Sequence, residues 1–188
     1  MGPLASHQQQ QRVQASIRSG IDGGARLLCG GLGVAPDLPA GLQRGAYVRP
    51  TVFGRVHNQM QIAQEEIFGP VLPVRTVESV EAAITEINAR PRPLALYYFG
   101  DDNEESEALL NRTHSGGVTI NDVIFHFAMD DLPFGGVGPS GMGAYHGHRG
   151  FIEFSHEKAI YRQISAELLA MLRPPYGATF RKQMAARL

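Results

Sequence analysis

The order Gln64-Glu65-Glu66-Ile67-Phe68-Gly69-Pro70, followed by Val71-Leu72-Pro73-Val74, limits what this chain can build more than any other stretch. Two adjacent carboxylates repel one another unless at least one meets a donor. Gly69-Pro70 halts a helix and sends the next residues out in extended form, because proline lacks an amide hydrogen and pushes its predecessor out of the helical region. The stretch reads as an acidic turn at the mouth of a buried strand, residues 71–74. From the residues alone two uses stand open: a solvated turn, or a carboxylate held rigidly enough to take the hydroxyls of a sugar.

The flanking chain alternates between the two periods of regular structure. Residues 6–24 predict a helix, with Val13, Ile17 and Ile21 at four-residue spacing and a stop at Gly23-Gly24. Residues 25–29 predict a short strand and residues 32–44 a loop. Residues 46–53 look extended, and Pro50 favours an edge or irregular strand over a central one. A strand over 71–76 leads to a helix capped by Ser79 or Thr76, with Val80, Ala83, Ile84 and Ile87 on one face. Arg90-Pro91-Arg92-Pro93 ends that helix, and residues 94–99 predict the next strand. Asp102 with Glu105 makes a capping-box start for a helix through Arg112, with Leu109 and Leu110 inward; Gly116-Gly117 turns into a strand over 118–120. Strands alternating with helices through short connectors predict an α/β fold with a parallel sheet.

Beyond Asn121 the regularity is lost. Residues 122–131 predict an irregular loop carrying Phe125, His126 and Phe127, and residues 132–143 are rich in glycine. Those glycines let backbone pass close to something, a ligand or another strand. The run lacks the Gly-Lys-Ser/Thr ending of a phosphate loop. Residues 144–154 predict a partial helix, 159–164 a terminal strand, 166–172 a short helix and 173–188 a basic tail.

Composition narrows the chemistry. At 188 residues there is room for one domain, or for one and a fragment of another. A formal net charge of −1 offers no attraction to nucleic acid or anionic lipid, and no apolar run approaches the length of a membrane span. The single cysteine, Cys29, predicts a reducing, cytoplasmic setting, as does an N-terminus without a leader. Cys29 closes an apolar strand and is expected to be a buried small hydrophobe, not a nucleophile. His146, His148 and His156 lack the rigid frame and companion ligands of a zinc site, so no metal is expected.

Taken together, Glu65-Glu66-Ile67-Phe68-Gly69-Pro70 and the later Pro133-Phe134-Gly135-Gly136, Ser140-Gly141 and Gly143 resemble the C-terminal part of the aldehyde dehydrogenase superfamily. The resemblance runs from the first residues to about Arg162. From Arg90 onward it is similar to the coniferyl-aldehyde and fatty-aldehyde branch, through residues 115–122, residues 141–147 and Arg173-Pro174-Pro175-Tyr176. The resemblance implies a partial catalytic domain over residues 1–157, a parallel sheet with flanking helices. It implies an oligomerisation strand over 158–165 that joins a neighbouring subunit, and a C-terminal helix and tail over 166–188.

Such enzymes oxidise an aldehyde to an acid with NAD or NADP. A cysteine thiolate attacks the carbonyl, hydride leaves to nicotinamide, and activated water hydrolyses the thioester. By resemblance, Glu66 binds the nicotinamide-ribose hydroxyls and Phe68 packs beside the nicotinamide, while Asn121, Phe125, Phe127, Phe134 and His146 lie at the aldehyde pocket. Cys29 matches no catalytic position, and the nucleophile, general-base glutamate and nucleotide-binding domain have no counterpart in these residues. The implied state is a homo-oligomeric oxidoreductase fragment, inactive by itself. The alternative is a non-enzymatic module that docks onto full-length homologues through its terminal strand.

Overall fold

The opening helix forms where its spacing predicts. In the computed structural model, which describes residues 1–33, 38–162 and 174–186, α1 spans His7–Asp22. Ser6 caps it by accepting from the Gln9 amide at 3.1 Å, and Gly24 leaves it with φ +85°. Its buried face, Val13, Ile17 and Gly20, meets Phe53, Met60, Ile62 and Ile67 in the main apolar cluster. A Cβ on Gly20 would lie 3.0 Å from the Ile62 side chain and 3.1 Å from Phe53, so the missing methyl lets helix and sheet close up.

The chain forms two compact units, one from Met1–Arg90 and Asp101–Thr113, the other from Pro91–Gly100 and His114–Leu188. In the first unit, β1 (Arg26–Cys29), β2 (Thr51–Gly54) and β3 (Val71–Pro73) form a sheet in that order. The α/β class holds, but this sheet is mixed. β2 and β3 are parallel across α2 (Gln61–Gln64), whereas β1 and β2 are antiparallel.

Three expectations are corrected here. β2 is the central strand despite Pro50, because the ladder begins one residue later: the Thr51 amide donates to the Pro70 carbonyl at 2.8 Å, so the proline costs no sheet bond. β3 is shorter than predicted and lies at an edge, and Leu72 is 58% exposed rather than buried. β1 is the other edge, none of its four residues is buried, and Cys29 is exposed. A strand with a single neighbour leaves its thiol outside.

α3 (Val80–Asn88) starts at Ser79, whose hydroxyl accepts from the Ala82 amide, and buries Ile84. α4 (Glu104–Arg112) is capped one residue later than expected. Asn103 Oδ1 accepts from the Glu105 and Ser106 amides, and Ser106 Oγ accepts from the Asn103 amide, which completes the box. Leu109 is buried, but Leu110 turns outward, since adjacent helical residues point about 100° apart. The Arg112 guanidinium donates to both Glu81 oxygens at 2.6 Å, joining α4 to α3 and holding the Glu81 carboxyl below the usual carboxylate range.

In the second unit β4 (Ala95–Tyr98) and β5 (Gly117–Ile120) are parallel, from Ala95 opposite Gly117 to Tyr98 opposite Ile120. A short helix, α5 (Phe125–Ala128), interrupts the predicted irregular loop. α6 (Gly147–Glu153) supplies the expected partial helix, and the tail carries α7 (Ala178–Ala185). In the single chain the terminal strand is not formed over its described part. Residues 159–162 form no strand, and Ile160 is 79% exposed; a strand needs a ladder partner, and none pairs there among the described residues. Residues 163–164 of that strand and the helix expected over 166–172 lie outside the described residues.

Candidate functional site

Two features carry the chemistry, one in each unit. The first is the turn after α2. The Glu65 carboxylate accepts from Gln61 Nε2 at 3.0 and 3.1 Å, which answers the repulsion between the paired acids. Glu66 is exposed, and its carboxylate makes no hydrogen bond or ion pair among the described residues. Phe68 has φ +52°, a region costly for a side chain with a Cβ, and its ring is 76% exposed.

Side chains of α1 hold that unfavourable turn from behind. Arg12 Nη1 donates to the Glu66 carbonyl at 3.2 Å and Nη2 to the Ile67 carbonyl at 2.5 Å. Gln9 Nε2 donates to the Phe68 carbonyl at 2.9 Å, and Gln9 Oε1 accepts from Arg12 Nε at 3.0 Å, aligning the guanidinium. The Ile67 side chain is buried in the core. A Cβ on Gly69 would stand 2.6 Å from Val13, so only glycine lets the turn sit against α1. Sequence reasoning missed Arg12 and Gln9. Their three-residue spacing on α1 is a visible signal that they share a helix face, but nothing local shows that their partners lie 54 to 59 residues away.

The arrangement fits a cofactor of the implied kind. A carboxylate without a partner beside an exposed aromatic ring is free to accept from vicinal hydroxyls and to pack against a flat heterocycle. A turn braced at three consecutive carbonyls keeps both groups in place.

The second feature is a ring cluster centred on Phe134. Its backbone pairs with Tyr145 in both directions at 2.9 Å. Its ring lies 6.0 Å from His146 at 23°, 5.7 Å from Tyr145 edge-on, 5.7 Å from Phe127 and 6.0 Å from His126. Tyr97 flanks His126 on β4 at 6.0 Å. His146 has φ +82°, and its Nδ1 is buried without a partner among the described residues.

Of the predicted pocket residues, Phe127, Phe134 and His146 come together. Phe125 is half exposed and outside the cluster of rings. Asn121 is engaged elsewhere: its Oδ1 accepts from the Gly100 amide and its Nδ2 donates to the Gly100 carbonyl, each at 2.9 Å, tying the ends of β4 and β5. Sequence reasoning passed over Tyr97, His126 and Tyr145 as site residues. The glycine-rich loop closes on its own backbone: a Cβ on Gly135 would lie 2.1 Å from the Gly143 carbonyl, and one on Gly136 2.2 Å from the Ser140 carbonyl. Among the described residues no three His, Cys, Asp or Glu side chains gather as a metal site, and no helix is long and apolar enough to cross a membrane.

Comparison with known proteins places this geometry. The sequence matches the aldehyde dehydrogenase family over residues 1–160. It is 53% identical over 143 residues to a probable coniferyl aldehyde dehydrogenase of Caulobacter vibrioides, covering 75% of this chain and 30% of that protein. It is 48% identical to aldehyde dehydrogenase family 3 member A2 of Rattus norvegicus, covering 69% of this chain and 27% of that one. The Mycobacterium tuberculosis aldehyde dehydrogenase complexed with NAD+ is similar in structure, with a TM-score of 0.77 and 37% identity over 88% of this chain and 33% of that chain. The substrate-bound state of Staphylococcus aureus AldH gives a TM-score of 0.76 and 35% identity over 99% of this chain and 38% of that chain. The chain thus spans about 30% of the length of the sequence relatives it matches.

Proposed function

The chain belongs to the aldehyde dehydrogenase family, and from that premise we propose that it is the C-terminal portion of an NAD(P)-dependent enzyme that oxidises an aldehyde to a carboxylic acid. Coniferyl aldehyde, or another aromatic or long-chain aldehyde, is the substrate the similarity favours. Residues 1–157 make up part of the catalytic domain, and residues 158–165 are the segment that becomes a strand once a second copy supplies its ladder partner. The single cysteine suits a reducing, cytoplasmic setting.

One observation carries this reading: the braced turn that holds the Glu66 carboxylate without a partner beside the exposed ring of Phe68. Glu66 accepts from the hydroxyls of the nicotinamide ribose, and Phe68 packs against the nicotinamide edge. Bound there, the nicotinamide supplies the hydride acceptor. The ring cluster of Phe127, Phe134 and His146 forms a wall for the aldehyde's apolar body.

Cys29 is not the nucleophile. It is exposed at the end of an edge strand and matches no catalytic position in the family resemblance. On this reading the attacking thiol and the general base belong to parts of the family fold that these 188 residues do not match.

The test is Glu66→Gln in the complete enzyme that carries this segment. Losing a charge-assisted bond to a ribose hydroxyl is expected to raise the KM for NAD about tenfold. An unchanged KM and hydride-transfer rate would remove Glu66 from the site. The 188-residue chain alone is expected to give no aldehyde-dependent NADH formation; turnover that Cys29→Ala abolishes would overturn that expectation.

A further inference from the structure

His126 is the one buried histidine of the chain's described residues, 8% exposed, and its surroundings are built around it. Its Nδ1 lies 2.8 Å from Thr119 Oγ1, and its backbone amide donates to that same oxygen at 3.2 Å. A hydroxyl that already accepts from an amide still has one hydrogen to give and a second lone pair to offer. It pairs with Nδ1 as well, so one side-chain oxygen of β5 fixes both the backbone and the ring of His126. Nε2 is buried and has no hydrogen-bond partner among the described residues.

Space has been made for this ring as well. A Cβ on Gly117 would fall 2.4 Å from His126 Cδ2 and 3.1 Å from Nε2, so β5 carries glycine where the imidazole presses against it. An unpaired buried polar atom is costly, and an ordinary core position is filled more cheaply by leucine or phenylalanine. The ring instead begins a pile: His126 meets Phe134 at 6.0 Å, and Phe134 meets His146 at 6.0 Å on to its other contacts. Thr119 lies on β5, so the pile is referenced to the sheet through one hydroxyl.

We propose that His126, oriented by the Thr119 hydroxyl, is a positioning residue that sets the Phe134 and His146 rings for aldehydes with a large planar body. This rests on reading the ring cluster as the pocket wall. His126 touches no substrate. Its effect passes through Phe134, so it scales with how much of that wall an aldehyde reaches.

The experiment uses the complete enzyme carrying this segment, with coniferyl aldehyde and acetaldehyde as substrates. Thr119→Val keeps the side-chain volume and deletes the tie to Nδ1. It is expected to raise the KM for coniferyl aldehyde roughly three- to tenfold, with kcat and the KM for acetaldehyde held within about twofold. Thr119→Ser returns the hydroxyl and is expected to restore the KM. Phe134→Ala separates the two levels of the argument. If it leaves the KM for coniferyl aldehyde unmoved, the pocket reading falls, and the inference with it. If it raises that KM while Thr119→Val leaves it unmoved, or shifts both aldehydes alike, the inference alone falls. Imidazole 15N spectra of the 188-residue chain give a readout independent of turnover. Thr119→Val is expected to shift the His126 Nδ1 signal of that chain, and an unmoved signal overturns the proposal.

Discussion

At Glu66–Phe68, three consecutive carbonyls are held by two polar side chains of a helix that begins 54 or more residues upstream. Around Phe134 the rings instead hold one another, and the backbone makes room by lacking Cβ atoms at Gly117, Gly135 and Gly136. The turn is therefore specified by donors and acceptors, the cluster by volume. Directional bonds keep a strained backbone in place while leaving its side chains free to meet a ligand. Close packing sets the shape of an apolar wall but tolerates no added atom.

The contrast has measurable consequences. The largest is expected from Gly117→Ala, which drives a methyl into the His126 ring at 2.4 Å. It is expected to cost roughly 1–3 kcal/mol in chemical unfolding and to shift the aromatic-ring proton signals of Phe134 and Tyr145. If the variant is as stable as the parent, the cluster is looser than its packing implies.

A smaller effect is expected from Arg12→Ala. One of its two bonds to the turn is exposed and the other only part-buried, so their loss costs about 1 kcal/mol. The Val71 amide, which donates to the Gly69 carbonyl at 2.8 Å, is expected to lose hydrogen-exchange protection while the ring signals stay put. An Arg12→Ala cost equal to that of Gly117→Ala would erase the distinction between the two designs.

The smallest effect comes from the Glu81–Arg112 pair, which is exposed and lies in neither feature. Because the folded carboxyl of Glu81 is lowered by its hydrogen bond to Arg112, its contribution is present above the unfolded value. It is lost as pH falls through the folded one. Arg112→Gln is expected to be slightly less stable than the parent near neutrality and indistinguishable once Glu81 is protonated. A difference that persists in acid would assign the effect to packing of the arginine stem.

Sequence patterns and the fold agree best where the cause is local. α1, α3 and β4 follow from period and capping, since each buries a stripe that recurs along its own residues. Two contiguous motifs were enough to mark the acidic turn and the Pro133–Gly143 loop. Errors arose where a neighbour made the decision. Pro50 was compatible with a central strand because Pro70 accepts the first sheet bond at Thr51. Cys29 was exposed because β1 found a partner on one side alone.

What the amino-acid order determined by itself was the longer helices and most of the strands up to β5, and the residue types of the candidate site: a carboxylate, an aromatic and a glycine before a proline. Tertiary structure alone decided which donors brace that turn, that Asn121 closes two strands, and that His126 with Tyr97 and Tyr145 joins the rings around Phe134. The physical reason is range. Capping and periodicity act within one or two turns of a chain. The hydrogen bonds of Arg12 and the packing of Phe134 exist only after distant residues share a surface.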